Sequence, residues 1–401
     1  MEPSEEHRAK ASRRPFGLSE LAIWSLGILL AVVLRFSLFD FESVDYRGAV
    51  SPWYDFIVSN GGYGALRHDF SNYSPLYLYL LTLATYLPLP KLYAIKLVSI
   101  SFDFLLALFV LLIVRLKYEN RAVWAFSLFA ALFAPTVVFN SAVWGQADAT
   151  YTSMLVASIY FAIRHRPNLS LFFFSVALAF KLQAIFLFPL FVVLLLKRRL
   201  PLYSFLIIPA TYMVSILPAW LAGRPLMDLL MTYPTQAGLY PELTLYAPNL
   251  YQWLPNDPGL LEKPGIILTA LLAGLLCLVS WRSAVALDGA LIVRLSLVSV
   301  LLLPFTLPHM HERYFFAADV VSIIYAFYSP KRFFVPLIVG AASLFSYFPF
   351  LFGEETIGLQ YLAILMGVAL IVASADLIRS LYPRLVEQPR SGSPEPGKPQ
   401  L

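Results

Sequence analysis

The feature that most constrains this chain is a recurrence. Apolar runs of about twenty residues follow one another from Gly17 to Ile378, separated by short polar junctions. A helix needs about 20 apolar residues to cross ~30 Å of hydrocarbon. Ten runs read as spans: 17–39, 92–114, 122–141, 147–163, 201–221, 264–280, 288–307, 314–329, 333–350 and 358–378. Two shorter pieces, 169–181 and 182–196, meet at the polar break Lys181-Leu182-Gln183, and each reads as a short helix. Charged residues are only 13% of the 401 positions, against about 25% in soluble domains, while hydrophobic residues are 59%. Such a chain cannot cover its own surface with polar groups, so the bilayer is its solvent. The expectation is an all-α polytopic membrane protein with about 12 transmembrane helices.

The basic residues predict an orientation. With the N-terminus inside, the cytoplasmic segments hold 20 of the 29 Lys and Arg, in clusters such as Arg115-Lys117-Arg121 and Lys197-Arg198-Arg199. The net charge of +5 therefore reflects the membrane and not affinity for nucleic acid. Residues 1–16 form a cytoplasmic tail, 17–385 the transmembrane domain, and 386–401 a Pro- and Ser-rich tail expected to be disordered in the cytoplasm. The first run is too long for a signal-peptide core and lacks a cleavage signal. Cys277 lies in an apolar run and reads as a small core residue, without a disulfide framework or a cysteine metal site.

Two long loops face outside, 40–91 and 222–263. In the first, Trp53, Phe56, Ile57 and Tyr63 recur near helical spacing and predict a helix on the membrane surface between about 48 and 66. Residues 74–88 are apolar but short, and counting them as a span would put the Arg115–Arg121 cluster outside. They are expected to lie in the interface or dip partway, with Tyr73, Tyr77, Tyr79, Tyr86 and, just beyond, Tyr93 at headgroup level. The second loop is rich in Pro, Tyr, Asn and Gln and is expected to hold at least one partial helix.

Polar clusters from distant parts of the chain converge on that same face: the first-loop acids, Trp144-Gly145-Gln146-Ala147-Asp148, Lys181 with Gln183, and His309-Met310-His311-Glu312-Arg313. Ionisable groups near bilayer depth are costly and usually mark a site. A carboxylate there can act as general base on a hydroxyl. Cations nearby can stabilise a leaving phosphate, and a groove between apolar helices can hold a polyprenyl chain. These parts describe sugar transfer from a polyprenyl-phosphate carrier. A transporter or flippase also uses broken helices and buried charge, but the chain has no internal repeat, and its polar residues crowd one face.

The segments VDYRGAVSPWYDFI, NYSPLYLYLL, VWGQADA, ALAFKLQAIFLFPLF and HMHERYFFAAD occur in an order that resembles the GT-C superfamily of membrane glycosyltransferases. The chain looks closest to bacterial relatives of the second mannosyltransferase of GPI-anchor assembly. It is similar, more distantly, to the dolichyl-phosphate-glucose glucosyltransferases of N-glycan assembly. The resemblance spans roughly residues 40 to 320. It implies a GT-C-like fold, an inverting mechanism, and a polyprenyl-phosphate sugar, with mannose first, as donor. The acceptor would be a glycan, glycolipid or protein. By the same resemblance Asp45 is the catalytic base, and Lys181, Gln183, His311, Glu312 and Arg313 meet the donor phosphate. Tyr46, Trp53, Gln146, Asp148, Asp40 and Glu42 are further candidates for the substrate site. Asp40-Phe41-Glu42 resembles a metal-binding acidic pair of some members, but no metal or other cofactor is assigned. The site would face the periplasm in a bacterium and the ER lumen in a eukaryote.

Overall fold

The computed structural model describes residues 17–237 and 239–383. Seven helices are long and apolar enough to cross a bilayer: Leu18–Phe36, Lys91–Arg115, Leu202–Leu221, Pro258–Arg282, Gly289–Thr306, Pro330–Phe352 and Leu359–Leu381. An eighth span is a pair, Arg121–Leu132 and Pro135–Trp144, bent by 48°. The protein is thus an all-α polytopic membrane protein with seven or eight full-length spans among the described residues. The remaining four expected spans are helical but shorter: Asp148–Ile163, Pro167–Phe180, Leu182–Leu196 and Phe316–Tyr328. At 1.5 Å per residue they run roughly 20 to 24 Å. A count of twelve requires these short helices to cross as well.

Burial explains the difference in length. Leu18–Phe36 buries only Ala31 and Arg35 and turns its leucines outward. Asp148–Ile163 is almost wholly buried, including Thr150, Thr152, Ser153 and Ser158. A helix enclosed by other helices need not match the hydrocarbon thickness, because its ends are satisfied by protein.

Two interruptions show how buried backbone ends are satisfied. Pro135 opens a new helix after the extended residue Ala134, which strands the Leu132 carbonyl. Arg35 donates to that carbonyl through Nη2 at 2.9 Å and to Ala31 O through Nη1 at 3.2 Å. Its Nε pairs with Asp103 Oδ2 at 2.9 Å, an oxygen that also accepts from Ser141 Oγ at 2.6 Å. In Ile207–Leu221 the interruption is Pro218. Here the Tyr79 hydroxyl donates to Ser215 O at 3.0 Å and accepts from Ala219 N at 3.1 Å. A side chain has entered the helical ladder next to the proline, which is a recognised cause of bending.

The bundle has two distinct ends. At one, basic side chains meet carbonyls at or just past helix C-termini, where a cation is favoured. Lys117 Nζ donates to Phe327 O and Tyr328 O at 2.9 Å each, and Lys197 Nζ to Ser283 O at 2.7 Å and Val285 O at 3.0 Å. Arg294 pairs with Asp376 at 2.7 Å. The other end carries both long loops. In the first, a π-helical turn Tyr46–Val50 leads into helix Ser51–Ser59 and a 3-10 turn Gly62–Arg67. Tyr54 and Ile57 pack inward, and Asp55 pairs with Lys91 at 2.8 Å.

The short apolar segment becomes helix Pro75–Ala84, about 15 Å long and unable to cross. Both its ends lie at the loop end: Ser74 Oγ donates to Phe180 O at 2.9 Å, and Tyr86 stacks on Tyr63. One expectation is corrected here. Tyr77 is buried in the core instead of sitting at headgroup level, because the helix packs against neighbouring spans. The second loop holds helices Leu226–Leu230 and Thr232–Ala237. It also supplies strand β1, Thr244–Leu245, which pairs in parallel with β2, Met310–His311.

Candidate functional site

Four breaks in helical structure meet at the loop end, and each delivers a polar side chain. Asp45 stands immediately before the π-helical turn at 46–50. A second π-helical turn, Phe139–Trp144, ends in Gly145 at φ +76, a left-handed conformation that glycine adopts without strain. That reversal presents Trp144 and Gln146 to Asp45 and starts the next helix at Asp148. At Lys181 the backbone is extended, between helix Pro167–Phe180 and the 3-10 turn Leu182–Leu187. The loosened carbonyls there are covered: Ser74 bonds Phe180 O, and the Tyr233 hydroxyl bonds Leu178 O. Finally, β2 pairing holds His311-Glu312-Arg313 against the second loop, with His309 at φ +61 bonding Glu242 O at 2.9 Å.

The side chains form one connected network. Asp45 Oδ2 accepts from Trp144 Nε1 at 2.9 Å and from Gln146 Nε2. Tyr73 donates to Gln146 Oε1 at 3.1 Å. Lys181 pairs with Asp148, whose other oxygen accepts from Asn140 Nδ2 at 2.8 Å. Arg313 bonds Glu312 at 2.7 Å and lies 3.9 Å from Asp148 and 4.0 Å from Asp45. Its guanidinium stands over the Trp144 ring, and Lys181 faces the rings of Tyr73 and Tyr151. Several groups keep unused capacity, Asn140 Oδ1, Tyr151 Oη and Glu312 Oε2 among them. Asp45 Oδ1 takes no hydrogen bond among the described residues, Gln183 Oε1 is buried without one, and so is Arg313 Nε.

Burial tunes the titration of this cluster. It pushes the Glu312 carboxyl up to about 7, against the opposing pull of Arg313. It also drives the His311 imidazole down to about 2, aided by the charges of Arg313 and Lys181. This shift favours the neutral imidazole, which is held between the rings of Tyr240 and Tyr314. The positive charge at the site belongs to Lys181 and Arg313.

A small cavity of 80 Å³ opens among Lys181, Arg313, His311, Tyr73 and Gln183. It shares Gln183, Tyr240 and His311 with a more apolar cavity of 220 Å³ lined by Leu182, Ile185, Phe186 and Leu307. Ile266, on the rim of that second cavity, is exposed on the outer face of Pro258–Arg282. The arrangement is a cationic chamber entered along an apolar channel.

The structure brings together Asp45, Gln146, Asp148, Lys181, Gln183, His311, Glu312 and Arg313. Tyr46 is elsewhere, buried in the core. Asp40 accepts from the Tyr93 hydroxyl at 2.6 Å, and Glu42 pairs with the exposed Arg47 at 3.4 Å, so neither joins the network. Trp53 stands one ring behind it, against Tyr73 at 5.2 Å. Among the described residues no three His, Cys, Asp or Glu side chains are gathered closely enough to hold a metal ion. Sequence reasoning missed Tyr73, Tyr240 and Tyr314 as site residues, and no signal separates them from the chain's other 20 tyrosines (23 in all). Trp144 had a signal in the glycine that follows it. No family model matches the chain, and no curated protein matches it.

Proposed function

We propose that this protein is an inverting glycosyltransferase of GT-C type, moving a sugar, mannose first among the candidates, from a polyprenyl-phosphate carrier to an acceptor hydroxyl on the non-cytoplasmic face. One observation carries the reading. A carboxylate with one anchored and one free oxygen stands 4.0 Å from a largely buried arginine, beside a cationic chamber that continues into an apolar channel. In this reading the polyprenyl chain occupies the channel, and its phosphate meets Lys181, Arg313 and the neutral His311. Trp144 and Gln146 hold Asp45 Oδ2, which leaves Oδ1 for the acceptor proton. As the acceptor oxygen bonds to the anomeric carbon, the bond from that carbon to phosphate oxygen breaks. The proton passes to Asp45, and polyprenyl phosphate leaves with the electron pair. Cations fixed where charge develops lower the barrier, and placement of two substrates in one geometry supplies much of the remainder.

The test is transfer of radiolabel from polyprenyl-phosphate-mannose into a lipid extract of the source cells, by protein in nanodiscs, with Asp45→Asn alongside. Labelled product from wild type and its loss in a folded variant is the expected result. Equal transfer by both would reject Asp45 as base, and no transfer from a panel of polyprenyl-phosphate sugars would reject the reaction. Orientation is tested separately: cysteines introduced in 40–91 should react with an impermeant maleimide applied from outside intact cells.

A further inference from the structure

Behind Trp53 lies a second polar cavity, an open one of 470 Å³ between the first loop and the start of the second. We propose that this cavity is the acceptor subsite and takes an uncharged saccharide; the proposal rests on the transferase reading above.

The cavity is built around a buried arginine. Gly223, at φ +109, turns the chain sharply after helix Ile207–Leu221, and Arg224 follows beneath the loops at 3% exposure. The preceding turn of helix is fixed by the Tyr79 hydroxyl at Ala219, and Arg224 N bonds Ala219 O at 3.1 Å. One guanidinium nitrogen pairs with Asp69, while Nε is buried without a partner among the described residues. A buried donor left unmet is costly, and a ligand oxygen entering the cavity would satisfy it. Asp69 and the exposed Asp228 supply acceptors for sugar hydroxyls. Trp53 supplies an apolar ring wall of the kind that packs on the C–H face of a pyranose.

Charge selects the ligand class. Two carboxylates and one guanidinium line the cavity, so a phosphorylated or carboxylated ligand would meet net negative charge. Position ties the cavity to the reaction. Asn72, Gln236 and Leu239 line both this cavity and the cationic chamber. Gln236 Nε2 donates to Asn72 O, so this bonded pair forms part of the partition that the two spaces share. Trp53 also leads to Asp45 in three contacts, through Tyr73 and Gln146. A sugar held on Trp53 would need only this partition to move for its hydroxyl to reach the carboxylate.

The experiment is saturation-transfer NMR on the full chain in nanodiscs. The probes are methyl glycosides of mannose, glucose, galactose, N-acetylglucosamine and arabinose, with mannose 6-phosphate as the charged control. At least one neutral glycoside should bind at millimolar concentration. Its affinity should fall at least tenfold in Trp53→Ala and in the conservative, exposed Asp228→Asn, and stay within threefold in Asp45→Asn. Tighter binding of mannose 6-phosphate, no binding by any glycoside, or binding unmoved by both subsite variants would overturn the proposal. Failure of the transferase reading is distinguishable: wild type would then bind the glycoside yet transfer nothing from any donor.

Discussion

Two buried ion clusters in this protein use the same chemistry and reach opposite results. Arg35 and Asp103 lie 1% and 0% exposed between Leu18–Phe36 and Lys91–Arg115. All three nitrogens of that guanidinium have protein acceptors, one of them the carbonyl stranded by the bent span. The second cluster, Lys181-Asp148 with Arg313, Glu312 and Asp45, is also largely buried, and both clusters keep an unbonded buried atom, Asp103 Oδ1 in the first and Arg313 Nε in the second, but only the second borders a cavity. Charge inside a membrane protein does not by itself mark a site. The Arg35 cluster closes a break in the backbone. The Lys181 cluster leaves its break open to a cavity.

The largest effect that could break this contrast is chemical. Asp45→Asn should lower transfer by about 10²- to 10⁴-fold, the usual contribution of a positioned base, with the melting temperature in detergent unchanged. An equal loss of activity in Asp103→Asn at full folded yield would erase the distinction. Next comes stability. Asp103→Ala strands a buried guanidinium and should cost about 3–5 kcal/mol, seen as loss of folded protein. The double change Arg35→Met with Asp103→Leu should recover part of it, less what the Leu132 carbonyl loses, while transfer per folded molecule stays near wild type. Third, if Lys181 meets the donor phosphate as proposed, Lys181→Met should raise the donor KM by about 10- to 100-fold. A fall in kcat alone, at unchanged KM, would place Lys181 outside donor binding.

The smallest effect concerns pH. The Glu312 carboxyl is raised to about 7 in the folded protein from an ordinary 4.5. Between those values the folded state holds more protons than the unfolded one. This contribution is therefore fully present below pH 4.5 and is lost as pH rises through 7. Thermal unfolding from pH 5 to pH 8 (roughly that window) should show a downward trend in wild type that is reduced in Glu312→Gln. An equal trend in both would remove Glu312 as its source.

Much of this fold is legible in the sequence, because a bilayer imposes one rule on every segment. Apolar length predicted all twelve helical segments, and the polar break at Lys181 was readable because it interrupts an otherwise continuous apolar stretch. The site was legible as clusters. Asp45, Gln146, Asp148, Lys181 and His311-Glu312-Arg313 were all singled out, and the structure draws them into one network. Asp40 and Glu42 were singled out on the same grounds and lie outside it, since an acid in a loop reads alike whether it faces a cavity or solvent. Arg35, Asp103 and Arg224 were missed because their partners are 68, 68 and 155 residues away.

The sequence by itself determined the class of the protein, the positions of its helices, and the side of the bundle where its polar clusters collect. Those properties follow from hydrophobicity and charge read along a line, and the membrane enforces them segment by segment. Only the tertiary structure decided which charges are sealed and which are open, that two π-helical turns aim Asp45 and Trp144 at one another, and that a two-residue strand pair fixes His311 beside the chamber. Each of these depends on contacts between segments far apart in the chain, and a linear pattern carries no term for such contacts.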